Sequence, residues 1–144
     1  MHEVNFEEAI GRIRAKDPRY ERDAYLFVRE ALDHTQKSIG KDSRGRLHVT
    51  GQELLGGIRE FALSQFGPMT MTVLEEWGIR CSQDFGEIVF NMVEIGLLAK
   101  TKEDSRADFQ PGYDFFEVFR KPFMPSSKQL EREIAPPAIP KIKL

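Results

Sequence analysis

Apolar side chains recur every three or four residues along most of the first hundred positions, which is the spacing of helices that bury one face. In the second such stretch, Ala24, Phe27 and Val28 form part of a broad stripe, which indicates a central helix. The pattern predicts five helices, at about residues 5–16, 17–40, 50–66, 69–77 and 82–95.

Capping signals stand at four of the predicted helix starts: Asn5 with Glu8, Asp17 before Pro18, Thr50 with Glu53, and Ser82. A short polar side chain at such a position accepts hydrogen bonds from the backbone N–H groups that the first turn leaves free. The third helix also contains two adjacent glycines, Gly56 and Gly57, which weaken a helix relative to alanine. We therefore expect another helix to approach closely there.

After Gly96 the pattern changes to short apolar runs separated by turn residues. The runs LLAKT (97–101) and YDFFEVF (113–119) predict two strands, because they are rich in aliphatic and aromatic residues. Three helices followed by a two-stranded ribbon is the winged-helix plan. The alternatives left open are a plain helical bundle and a helical turn over YDFFEVF.

A chain of 144 residues suits one domain of ordinary size. We predict a mainly α domain over residues 1–124, made of two N-terminal helices and a winged-helix-like part at 51–119 with a short β-hairpin. Residues 125–144 predict a short helix and an extended, proline-rich basic tail. Core packing is expected for the aromatic series Phe109, Tyr113, Phe115, Phe116, Phe119 and Phe123.

Charge is distributed unevenly, although the chain as a whole carries only −2. Residues 1–50 carry +1, residues 51–119 carry −7 and residues 120–144 carry +4. The helix that would enter a DNA groove lies in the acidic part and has no lysine or arginine. Because phosphate contacts from cations supply much of the affinity for DNA, groove binding by this helix is disfavoured.

A protein-interaction module is therefore the leading hypothesis, with self-association as one form of it. Its predicted contact face consists of Asp84, Glu87, Asn91 and Glu94. The alternative is a nucleic-acid-binding regulatory protein. Its predicted basic contacts are Lys41, Arg44, Arg46, Lys141 and Lys143. The basic tail is equally consistent with an attachment to an acidic body and with a solubilising end.

An enzyme ranks third, because no nucleophile or metal constellation is visible in the sequence. His2, His34 and His48 are far apart, and Cys81, the one cysteine, excludes an internal disulfide. We predict no catalytic residue, cofactor or metal. The charged N-terminal sequence lacks the apolar centre of a signal peptide, and no apolar run is long enough for a membrane helix. We therefore expect a cytoplasmic protein.

Several stretches between about residues 4 and 124 resemble a family of small bacterial proteins, found as hypothetical proteins in planctomycetes, verrucomicrobia and related phyla. The stretches are AKDPRYERDAYLFVREALDHTQK, HVTGQELLGGIREFALSQFGPM, VLEEWGI, DFGEIVFNMVEIGLLAKT and YDFFEVF into RKPF. The resemblance implies a small bacterial cytoplasmic protein. It carries over no catalytic or binding residue.

Overall fold

The computed structural model describes residues 5–39, 49–99 and 104–125, and this part of the chain is mainly helical. The α-helices are α1 (Phe6–Lys16), α2 (Arg22–Ile39), α3 (Gly51–Phe66), α4 (Thr70–Glu76) and α5 (Ser82–Glu94). Four short helical turns complete it, three of 3₁₀ type at Gly67–Met69, Arg106–Phe109 and Lys121–Phe123 and one of π type at Phe116–Arg120.

The core lies between α2, α3 and α5. The apolar residues of these helices that have no exposed surface are Ala24, Tyr25, Val28, Ala31, Ile58, Ala62, Phe85, Ile88 and Met92. Helix α5 is covered by α1, α2, α3 and the Arg106–Phe109 turn, so it occupies the centre of the molecule. The broad apolar stripe predicted for the second helix is confirmed.

Two of the predicted capping signals are confirmed. The Asn5 side chain accepts from the backbone N–H groups of Glu7 and Glu8 at 2.9 and 3.4 Å. At the start of α3, the Thr50 hydroxyl accepts from the Glu53 N–H, and the Glu53 carboxylate accepts from the Thr50 N–H. Both caps are local, since each partner lies two or three residues away.

The predicted start of the second helix is wrong, because α2 begins at Arg22 rather than at Pro18. The Asp17 carboxylate binds the guanidinium of Arg19 at 2.7 and 2.8 Å, and the segment after it turns so that Tyr20 is buried. The Glu21 N–H then donates to the Trp77 carbonyl at 3.1 Å. These contacts hold residues 17–21 as a turn between α1 and α2.

Ser82 does not cap α5 as predicted. It is the first residue of the helix, and its buried hydroxyl accepts from the Tyr113 N–H at 3.1 Å. Asp84 satisfies the helix start instead, since its Oδ2 accepts from the Cys81 N–H at 3.2 Å and from the Arg80 N–H at 2.8 Å. The serine thus fixes the segment around residue 113 against α5.

The predicted β-hairpin, and with it the winged-helix-like arrangement of residues 51–119, is not found in the described residues. Residues 97–99 are irregular, and most of YDFFEVF forms the π turn. Phe115, Val118 and Phe119 are buried, and their spacing of three and four is helical. The alternation of Tyr113 with Phe115 suggested a strand, but the longer pattern follows the helical period.

None of the helices in the described ranges is long and apolar enough to cross a membrane. The short helix and basic tail predicted for 125–144 lie, from residue 126 onwards, outside the described residues.

Candidate functional site

The four residues of the predicted interaction face all lie on α5, and the first of them, Asp84, binds its own chain. Its Oδ1 accepts from the hydroxyl of Tyr20 at 2.5 Å, in addition to the two backbone N–H groups that Oδ2 binds. Tyr20 is only 1% exposed, and its burial, followed by its hydrogen bond to this carboxylate, raises its pKa well above the ordinary value. Asp84 therefore holds the α1–α2 turn to the start of α5.

Glu87 and Glu94 are paired with two arginines from other parts of the chain. Arg19 places Nη2 at 3.4 Å from Oε2 of Glu87, and Arg106 places Nε at 3.3 Å from Oε1 of the same residue. Arg106 also places Nη2 at 3.5 Å from Oε1 of Glu94. Glu87 and Glu94 thus each have an arginine partner within the chain, although Arg19 also binds Asp17.

Asn91 joins this network through its side-chain amide. Nδ2 donates to Oδ2 of Asp17 at 3.0 Å and to the hydroxyl oxygen of Tyr25 at 3.1 Å. The Arg19 hydrogen bond, and after it the one from Asn91, outweigh burial and hold the pKa of Asp17 well below its ordinary value. The Asn91 amide, which was predicted as part of a contact face, therefore connects α5 to α2 and to the α1–α2 turn.

The environment of α5 differs from that of a recognition helix. Only Gln83 and Glu94 are exposed among residues 82–94, and the polar side chains between them are engaged internally. A recognition helix presents an uncovered row of side chains to base edges. Contact of this face with a protein partner stays a prediction, and such a partner would meet paired rather than free carboxylates.

The predicted basic contacts, Lys41, Arg44, Arg46, Lys141 and Lys143, lie outside the described residues. Two of the histidines, His2 and His48, do so as well. The third, His34, packs against Phe61 with 5.2 Å between the ring centroids, and its Nε2 lies 3.7 Å from Glu60 Oε1. Within the described ranges, no group of three His, Cys, Asp or Glu side chains is arranged to hold a metal ion.

Four exposed apolar side chains on neighbouring segments were missed by the sequence reasoning. Met69, Phe116, Phe123 and Met124 are 55%, 45%, 44% and 51% exposed. We call these four residues the apolar patch. They belong to neighbouring segments, because the turn with Met69 contacts the π turn, which continues into the Lys121–Phe123 turn.

Core packing is therefore wrong for Phe116 and Phe123, although it is confirmed for Phe109, Phe115 and Phe119. A signal for Phe116 was present in the sequence. With Phe115, Val118 and Phe119 turned inward at helical spacing, Phe116 falls on the outward side. Phe123 carried no comparable signal, since it lies in a three-residue turn after a proline.

Two charged groups without an ion pair in the described part of the chain flank the apolar patch. Arg120 lies four residues after Phe116 and is exposed. Glu75 is exposed on α4, which contacts the π turn. The neighbouring Lys121 is paired, since its Nζ lies 3.2 Å from Glu117 Oε2. Arg120 on the π turn and Glu75 on α4 therefore lie on contacting elements, and neither has an ion pair within the described ranges.

Comparison with protein-family models, curated proteins and solved structures finds no match to this chain. The resemblance to a family of small bacterial proteins accordingly stays a prediction, and the function has to be argued from the site itself.

Proposed function

We propose that this chain is a non-enzymatic protein-interaction module that associates with a second copy of itself through the apolar patch. The observation that carries the proposal is the exposure of two phenylalanines and two methionines on neighbouring segments. Scattered exposed apolar residues are ordinary, but contiguous ones mark interaction surfaces. A cytoplasmic location belongs to the same proposal.

The composition of the patch suits the centre of an interface, where aromatic residues, methionine and arginine are enriched. Full burial of a phenylalanine side chain stabilises by roughly 1.5–3 kcal/mol. Phe116 and Phe123 are a little under half exposed, so burying the rest of each ring in an interface would contribute about half of that free energy. Four such side chains form a small contact area. We therefore expect weak association, with a Kd on the order of micromolar or higher.

The flanking charges favour a second copy as the partner. In a twofold dimer, a residue contacts its counterpart region on the other chain, so the same surface must complement itself. Arg120 and Glu75 meet this requirement, because Arg120 of each copy can pair with Glu75 of the other copy. Glu87 and Glu94 of α5 fit this requirement less well, since each already has an arginine partner within its own chain.

Sedimentation equilibrium tests the patch directly. The mean mass of the wild-type chain should rise with concentration towards twice the monomer mass. The double variant Phe116→Ser, Phe123→Ser should stay monomeric, with a Kd at least about tenfold weaker, because two central aromatic contacts are lost. The matched control is Ile39→Ser, which removes an apolar side chain that is 42% exposed but outside the patch. Equal association of all three proteins would contradict the proposal.

A charge exchange tests the identity of the partner. Arg120→Glu and Glu75→Arg should each weaken self-association, since each brings like charges together across the twofold axis. An equimolar mixture of the two variants should associate as well as the wild type, because both contacts are then complementary. A mixture that stays as weak as its components would show that these residues do not face each other between copies.

A further inference from the structure

A cavity of about 300 Å³ lies between α2, the start of α3, α5 and residues 104–109. Its apolar wall is formed by Leu32, Leu54, Val89, Val93, Leu98 and Phe109. The volume is at the lower end of the range for small-molecule sites, roughly 300–1,000 Å³, and both apolar and polar groups line it. None of the four residues of the apolar patch is among the described lining residues of the cavity.

Two aspartates, Asp104 and Asp108, are among the described polar residues that line this cavity. Asp108 lines it, with Oδ2 accepting from the Ser105 N–H at 2.8 Å and Oδ1 without a hydrogen-bond partner in the described part of the chain. Asp104 lines the same side. No lysine or arginine is among the described lining residues, and Arg106, two positions from Asp108, is turned to Glu87 and Glu94.

The start of α3 also lines this cavity, and the positive end of a helix dipole by itself favours an anion. Here, however, the Thr50–Glu53 capping box occupies two of its donors and adds a carboxylate to the first turn. The Asp108 carbonyl oxygen, moreover, accepts from the side-chain amide of Gln52 at 3.0 Å. The preference for an anion is thus reduced, and Asp108 adds a carboxylate to the described lining of the cavity.

We infer that this cavity binds a small molecule with an apolar body and a protonated amine. The body packs against Leu54 and Val93, and the ammonium group donates to Oδ1 of Asp108. At roughly 30 Å³ for each water-sized group, the volume accommodates about ten non-hydrogen atoms. That is the size of one aromatic ring with a short aminoalkyl chain.

Three probes of the same shape and different charge test this inference: phenethylamine, phenethyl alcohol and phenylacetate. Each is titrated into the full ¹⁵N-labelled chain, and the amide shifts are followed by NMR. The amine should bind about tenfold more tightly than the alcohol, the gain expected from a charge-assisted hydrogen bond, and phenylacetate should bind most weakly. The shifts should lie at residues 54, 89–93 and 105–109.

Two variants test whether the amine binds at the Asp108 carboxylate and whether it occupies the cavity. Asp108→Asn keeps an acceptor for the Ser105 N–H but removes the charge, so the amine should lose about tenfold in affinity while the alcohol is unaffected. The matched control is Asp33→Asn, an exposed carboxylate on α2 that does not line the cavity. Val93→Phe, which fills the cavity, should abolish binding of every probe.

Three results would overturn the inference. They are no binding of the amine at millimolar concentration, equal affinity for phenylacetate, and an equal effect of Asp108→Asn and Asp33→Asn on the amine. If Val93→Phe fails to fold, the probe series and the Asp108→Asn comparison still decide the question.

Discussion

Gly56 and Gly57 are neighbours in α3, yet they have opposite surroundings. A Cβ atom added at Gly57 would overlap with Oγ1 of Thr35, a buried side chain of α2 whose hydroxyl donates to the Ala31 carbonyl. A Cβ atom added at Gly56 would meet nothing within 4 Å. The sequence predicted a close helix approach for this pair, and the structure confirms it for Gly57 alone.

This difference gives a prediction at the scale of one residue. Gly57→Ala should lower the free energy of unfolding by about 1–3 kcal/mol, because the added methyl group forces α2 and α3 apart. Gly56→Ala should raise it by up to about 1 kcal/mol, because alanine favours the helix and no neighbour is displaced. Urea unfolding of the two variants beside the wild type measures both changes. The same sign for both would show that α2 and α3 are not packed at Gly57 as described.

At the scale of the element, the starts of α1 and α3 were predictable and the start of α2 was not. The caps at Asn5 and Thr50 depend on partners two or three residues away, which the sequence displays directly. The turn at Asp17 depends instead on Asn91, 74 residues away in the chain, and on the burial of Tyr20 against α5. Only the assembled fold brings these groups together.

The same turn predicts a dependence of stability on pH. Arg19 and Asn91 lower the folded-state pKa of Asp17 from its ordinary value of 3.8, so the folded state favours the charged carboxylate. The stability that the charged Asp17 carboxylate contributes is complete above pH 3.8, and it is lost as the pH falls through the lowered folded-state pKa. Asp17→Asn should therefore cost about 1–3 kcal/mol at neutral pH and progressively less below pH 3.8.

Thermal unfolding of the wild type and of Asp17→Asn over a pH series measures this change. Asp33→Asn, which removes an exposed carboxylate paired with Lys37, serves as the control for a surface ion pair. A stability difference between the wild type and Asp17→Asn that does not narrow on acidification would mean that the carboxylate is not bound in this way.

At the scale of the molecule, the helical class and the five helices could be read from the apolar period, but the surface could not. The charge of −7 over residues 51–119 suggested an electronegative face, whereas the structure brings Arg19 from an earlier segment onto Glu87. Charge counted along the chain thus differs from charge on the surface. The exposure of Met69, Phe116 and Phe123 likewise depends on which segments pack together, and the local sequence pattern does not indicate this.

The central claim is that the molecule contacts a second copy through the apolar patch and not through α5. Amide NMR spectra of the ¹⁵N-labelled chain over a concentration series test it most directly. We predict concentration-dependent shifts at residues 67–75 and 114–125, which disappear in the Phe116→Ser, Phe123→Ser variant. Spectra that do not change with concentration, or changes confined to Gln83, Glu87 and Glu94 of α5, would contradict the claim.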